Sequence, residues 1–195
     1  MGIPKDHSLL AAYPRGDSNG YGRNLAEKRF SVLLKDLKFT NVLDVGSGAC
    51  FLKTWLQKSD ISANYEAVDI RPEALALCDC TTYSATPRTG AYDLICLLGT
   101  VTYNLNDDVL KNKKTLKTLL KAAKKVGTGN ILFSVFKDSV AATLSPNDAN
   151  KFVYFSKEEL TALVKKVGLN LVYLKEIPSL DPNEYFVLCS TWYVN

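Results

Sequence analysis

The chain has 195 residues, 47% of them apolar and 23% charged, with a formal net charge of +4. These proportions predict an ordinary soluble globular protein, one domain deep enough to bury a core without staples. No stretch approaches the length needed to cross a bilayer, and no signal-peptide core is expected at the N-terminus; so mild a charge permits an anionic partner without arguing for one.

Residues 1–23 show little apolar periodicity, and the run YPRGDSNGYGR is rich in turn formers. Two readings stand side by side: a frayed terminus, or a lid carried by Tyr13, Arg15, Tyr21 and Arg23. His7, the single histidine, is expected to be exposed and idle. Asn24 then reads as a helix N-cap with Glu27 at the capping-box position. Ala26, Phe30, Leu33, Leu34 and Leu37 share one face of that helix, which ends before Thr40.

Val42, Leu43 and Val45 form a short apolar run of the kind buried in a parallel sheet. Gly46 and Gly48 follow, and a helix opens over Phe51 to Lys58. A strand entering a glycine-rich turn and then a helix is how α/β proteins build a nucleotide crevice. The next apolar run, Tyr65 to Ile70, carries Asp69 about 20 residues on, where such folds place a carboxylate for a ribose. Two details point away from a dinucleotide. Gly46-x-Gly48-x-Cys50 lacks the third glycine, and Asp44 sets a negative charge where a pyrophosphate would lie but where a cation is welcome.

After Asp69 two readings stay open. Pro72-Glu73 can start a helix running through Cys78, or Leu75 to Cys78 is a strand with Asp79 at its C-terminal end. Tyr92 to Leu98 is a buried strand, and Gly99 to Asn104 lies at its crevice end. Asp107 to Val126 is a helix with Leu116, Leu119, Leu120 and Ala123 inward. Its outer face carries Lys111, Lys113, Lys114, Lys117, Lys121, Lys124 and Lys125, read as solvated because no arginine or aromatic residue interleaves with the lysines. Gly127 to Asn130 is expected to turn into a strand over Ile131 to Phe136, and Lys137 to Asn150 to form a loop or short helix at the same edge. Ser156 and Glu159 form a capping box, with Leu160, Leu163, Val164 and Val167 inward and Gly168 as the stop. Leu169 to Leu174 and Tyr185 to Tyr193 are two closing strands joined by the loop IPSLDPNE.

The five cysteines, Cys50, Cys78, Cys80, Cys96 and Cys189, are an odd and scattered set, which predicts reduced thiols and a cytoplasmic protein. Cys78-x-Cys80 has the spacing of neither a zinc knuckle nor a redox pair, so no metal site is expected.

Val42-Leu43-Asp44-Val45-Gly46-Ser47-Gly48 resembles the glycine-rich first motif of the class I S-adenosylmethionine-dependent methyltransferases. Ala67-Val68-Asp69-Ile70 resembles their acidic second motif, and Tyr92-Asp93-Leu94-Ile95 the start of their fourth strand. The resemblance runs from about Asn24 to the C-terminus. It implies a three-layer α-β-α Rossmann-like sandwich whose mostly parallel seven-stranded sheet is closed by an antiparallel C-terminal hairpin. It divides the chain into an N-terminal lid or flexible segment, 1–23, and a methyltransferase domain, 24–195. S-adenosylmethionine would be held by Asp44, Gly46, Ser47, Gly48, Asp69, Ile70, Asp79, Cys80, Leu97 and Leu98, with Asp79 and the Cys80 amide at the adenine. Tyr103 and Tyr21 are the candidate catalytic bases. The family's enzymes that methylate base amino groups carry an Asn or Asp, two prolines and an aromatic after the fourth strand. Leu98-Gly99-Thr100-Val101 does not match that pattern, nor does it hold the Pro-Cys nucleophile of cytosine-carbon enzymes. The expected acceptor is therefore a small molecule, with neither nucleic acid nor membrane as partner. The alternatives are transfer to a macromolecule (protein or RNA), a non-catalytic cofactor-binding subunit, and a nucleotide-dependent oxidoreductase.

Overall fold

The computed structural model describes residues 21–48, 50–69, 91–100, 109–145 and 152–192. In chain order the elements are α1 (Tyr21–Leu33), β1 (Asn41–Val45), α2 (Phe51–Lys58), β2 (Asn64–Val68), β3 (Tyr92–Leu97), α3 (Val109–Val126), β4 (Gly127–Lys137), α4 (Asp138–Ala141), β5 (Tyr154–Phe155), α5 (Lys157–Val167), β6 (Asn170–Ile177) and β7 (Asp181–Ser190). The seven described strands form one sheet in the order β2-β1-β3-β4-β7-β6, with β5 paired to β4. β2, β1, β3, β4 and β5 pair in parallel, whereas β7 joins β4, and β6 joins β7, in antiparallel register.

Alternation along the strands divides the core into two layers. Leu43, Ile95, Leu97, Ile131, Phe133, Val135 and Val187 face α3 and α5, meeting Leu116, Leu120, Ala123, Leu160 and Val164. Val42, Leu94, Cys96, Leu132, Phe186 and Leu188 face the other way, against Phe30, Leu34, Leu52, Trp55 and Leu56 of the α1–α2 side. Helices on both faces of a mainly parallel sheet make the expected three-layer sandwich.

Several boundaries differ from the sequence expectation. α1 begins at Tyr21, so Asn24 lies inside the helix and does not cap it. The stretch from Gly127 to Asn130 is strand and not turn, because β4 begins at Gly127 and pairs it with Tyr92. Gly129 is there for clearance: a Cβ on it would run into the Asp93 carbonyl of β3. The closing strands extend well into the supposed loop, leaving residues 178–180 as the connection. Pro182 is tolerated inside β7 because the β4 ladder reaches only to the Phe136–Glu184 pair.

The ends of α5 follow the sequence closely. Ser156 accepts from the Glu159 amide at 3.1 Å while the Glu159 carboxylate accepts from the Ser156 amide at 3.0 Å. Gly168 closes the helix at φ 75°, and Lys124 of α3 donates to its carbonyl at 2.7 Å. A second tie sits at the N-terminal edge of the sheet. The Asp93 carboxylate takes the Thr40 amide, the Thr40 hydroxyl at 2.7 Å and the Asn41 amide at 2.9 Å, fastening β3 to the entry of β1.

Candidate cofactor crevice

The C-terminal ends of β1 and β2 meet at the glycine turn. Gly46 and Gly48 hold φ values of 73° and 53°, which side chains avoid, and Cys50 holds 55° just before α2. The turn is folded inward on its own hydrogen bonds. The Gly46 amide donates to the Val68 carbonyl at 2.7 Å and the Ser47 amide to the same oxygen at 3.3 Å. The Gly48 amide donates to Asp69 Oδ2 at 2.9 Å. Asp69, expected to serve a ligand alone, is thus buried and also braces the turn.

Asp44 lies in β1 and is buried, with the Tyr65 hydroxyl donating to Oδ2 at 2.7 Å. Burial pushes its carboxyl up from 3.8 to about 7; the Tyr65 hydrogen bond opposes that rise, and the charge of Asp69 adds to it. Burial, and after it the charge of Asp44 itself, raises the Cys96 thiol on the neighbouring strand.

The far wall of the crevice is the turn after β3. Leu97 is buried in the core and Leu98 half-buried on the opposite face. Thr100 donates its hydroxyl to the Val45 carbonyl at 2.6 Å. It packs so tightly on the glycine turn that a Cβ on Gly46 would lie 2.8 Å from its Oγ1. Of the sequence-named site residues, Asp44, Gly46, Ser47, Gly48, Asp69, Leu97 and Leu98 are thereby gathered at the C-terminal ends of β1, β2 and β3. Ile70, Asp79, Cys80 and Tyr103 lie outside the described residues, as does most of the 1–23 segment. Tyr21 is the first residue of α1, and its side chain is outside them too.

Three features were missed in the sequence. Cys50 is disulfide-bonded, while Cys96 and Cys189 are free and buried; the expectation of reduced thiols holds for the latter two and not for the cysteine that opens α2. A buried polar cluster stands beside the crevice wall. The Gly99 amide donates to Ser134 Oγ of β4 at 3.0 Å, and the Ser134 hydroxyl lies near enough to Glu184 of β7 to lower its carboxyl. Arg29 of α1 reaches Asp181 at 2.8 Å and comes within 3.2 Å of Glu184. Finally, Phe136, Phe152 and Tyr154 gather at the crevice end of β4 and β5, the two phenylalanine rings edge-on at 5.2 Å. A lone Glu in a strand beside a proline carries no periodic signal, and ring contacts across β4 and β5 depend on pairing that sequence does not show.

No family model and no curated protein matches the chain. Solved structures do. A methyltransferase of Archaeoglobus fulgidus described as S-adenosylmethionine-dependent superposes with a TM-score of 0.66 at 13% identity, over 95% of this chain and 100% of its own. A candidate methyltransferase of Haloferax volcanii, solved in complex with the Trm112 methyltransferase activator, gives 0.70 at 12% identity, over 100% of this chain and 99% of its own. A candidate O-methyltransferase of Nostoc punctiforme gives 0.62 at 17% identity over 86% of this chain, which spans 56% of that protein. The chain has the fold these proteins share.

Proposed function

We propose that the chain is an S-adenosylmethionine-dependent methyltransferase acting on a small molecule. The observation that carries the reading is the chemistry of the glycine turn. In a phosphate-binding turn the amides point out toward the anion. Here the amides of Gly46, Ser47 and Gly48 have protein acceptors, and the charges beside them are the buried carboxylates Asp44 and Asp69. Such a site disfavours a pyrophosphate and suits a cation with hydroxyls. S-adenosylmethionine fits, with a sulfonium, an ammonium and a ribose and no phosphate. When bound it supplies an electrophilic methyl group. Asp44, Gly46, Ser47, Gly48 and Asp69 would hold it, and the turn of Leu98, Gly99 and Thr100 would wall it on the acceptor side. Ile70, Asp79, Cys80 and the bases Tyr103 and Tyr21 rest on the family resemblance.

The chain's contribution to the reaction would be to hold acceptor and donor in line and dry, the costly part of a bimolecular transfer. The aromatic cluster of Phe136, Phe152 and Tyr154 at the crevice edge supports an organic small molecule as acceptor. A macromolecular acceptor is the second reading. It is favoured by Lys117, Lys121 and Lys166, which crowd across α3 and α5 closely enough for Lys166, first, and Lys121 to lower the Lys117 ammonium. Among the described residues no helix is long and apolar enough to cross a membrane.

Calorimetry tests the cofactor. S-adenosylhomocysteine should bind with a micromolar dissociation constant, about 8 kcal/mol, and NAD should give no heat. Silence from S-adenosylhomocysteine at millimolar concentration would overturn the reading. Tight RNA binding whose salt slope implies several phosphate contacts would overturn the small-molecule acceptor and favour the second.

A further inference from the structure

Glu184 is a buried carboxylate, 3% exposed, that the cofactor site does not use. Its Oε2 makes no hydrogen bond, and neither does the buried Nε of Arg29 beside it. The Arg29 Nη2 approach at 3.2 Å therefore supplies charge without hydrogen-bond geometry. Glu184 and Phe136 are directly paired across β7 and β4, and Ser134 lies two residues from Phe136 on the same face of the sheet. From Ser134 the contacts continue without a gap. The hydroxyl takes the Gly99 amide; Thr100, next in the chain, holds the Val45 carbonyl and fills the space above Gly46. Glu184 is thus linked to the turn proposed to hold the cofactor through the neighbouring Ser134, whose hydroxyl holds Gly99, and through one packed contact.

We propose that Glu184 is a positioning residue for methyl transfer: through Ser134 it sets the turn of Gly99 and Thr100 against the glycine turn, and through Arg29 it fixes α1 over the same edge. The inference rests on the methyltransferase reading. The Ser134 hydroxyl has one proton and already accepts from Gly99. Toward an ionised Glu184 it must donate; toward a protonated Glu184 it can instead accept a second proton, which weakens its hold on the Gly99 amide. The position of the turn thereby follows the charge on Glu184.

The charged groups that face Glu184 are Arg29 from α1 and Asp181 from its own strand, with the Ser134 hydroxyl of β4 beside it. Burial raises the carboxyl from 4.5 to about 6, more than Arg29 lowers it; Asp181 raises it further and Ser134 lowers it. Ionisation therefore falls in an accessible pH range.

The test has two independent readouts on the full chain. The first is the Gly99 amide resonance followed by NMR from pH 5 to 8. It should titrate with a midpoint near 6 in the wild type and lose that step in Glu184→Gln. The second is affinity for S-adenosylhomocysteine over the same range. Glu184→Gln and Ser134→Ala should each weaken binding three- to tenfold at pH 7.5, and the Gln variant should lose the pH step near 6. Gln keeps the shape and a neutral hydrogen-bonding group, and circular dichroism verifies the fold of both variants. A folded Glu184→Gln that reproduces the wild-type Gly99 titration and the wild-type binding curve would overturn the proposal. If wild-type protein binds no S-adenosylhomocysteine while Gly99 still titrates with Glu184, the methyltransferase reading fails and the link between the two residues stands.

Discussion

Asp44 is where chemistry and stability pull against each other. Its carboxyl is raised to about 7, so the folded chain binds a proton there that the unfolded chain has already lost. The stabilising contribution is full at pH below 3.8, and it is lost as pH rises through 7. Each unit of displacement is worth about 1.4 kcal/mol. Asp44→Asn should consequently flatten the fall in melting temperature between pH 5 and 8 and raise the melting temperature at pH 8, read by calorimetric melts. The same substitution should remove the rise in S-adenosylhomocysteine affinity across pH 7 that ionisation of Asp44 provides. A melting curve for the variant that falls with pH as steeply as the wild type's would remove Asp44 from this role. The sequence made the position of this carboxylate readable, as a charge at the end of an apolar run. The upward push on its carboxyl was not readable, because it comes first from burial beneath other segments, with Tyr65 opposing it and Asp69 adding to it.

At the scale of elements, local signals with a mechanism carried over best. The box of Ser156 and Glu159 and the stop at Gly168 involve partners within one helix turn, and both ends of α5 stand as expected. Ser156→Ala should cost about 1 kcal/mol, measured as a shift in urea midpoint at unchanged slope. Elements whose limits depend on distant partners were misread. The glycines of β4 look like turn residues until β3 is laid beside them, and the prolines near Ile177 and Glu184 look like a loop until one sees where the β4 ladder ends. Asn24 had the chemistry of a cap, but the helix continues upstream of it to Tyr21.

At the scale of the molecule, strand β4 is the joint between the cofactor half and the closing hairpin. It pairs with β3 on one edge and with β7 on the other, and it takes β5 past the end of β3. Gly129 permits that closeness, since a side chain there would strike the Asp93 carbonyl. The same Asp93 ties β3 to Thr40 and Asn41. Gly129→Ala should thus push on both neighbours of β3 at the N-terminal edge of the parallel sheet and cost about 1–3 kcal/mol, as overpacking does. That corresponds to several degrees in a thermal melt, and an unchanged melting temperature would show that β3 and β4 can part there without loss. The crevice was legible from an apolar run entering the glycines with Asp69 at the end of the next run, whereas the central place of β4 rests on pairings that no single segment announces.

That central place has a consequence for the chain while it is being made. As the ribosome delivers β4, its partner β3 is already out, but the strand that covers its other edge is not. β5, α5 and β6 must all be synthesised before β7 arrives. Through that interval a strand carrying Ile131, Leu132, Phe133 and Val135 presents an open row of amides and carbonyls, the template on which nascent chains adhere to one another. Yield in the cell should therefore depend on chaperones that shield nascent strands, and slowing translation just ahead of β7 should prolong the danger and send more of the protein into aggregates.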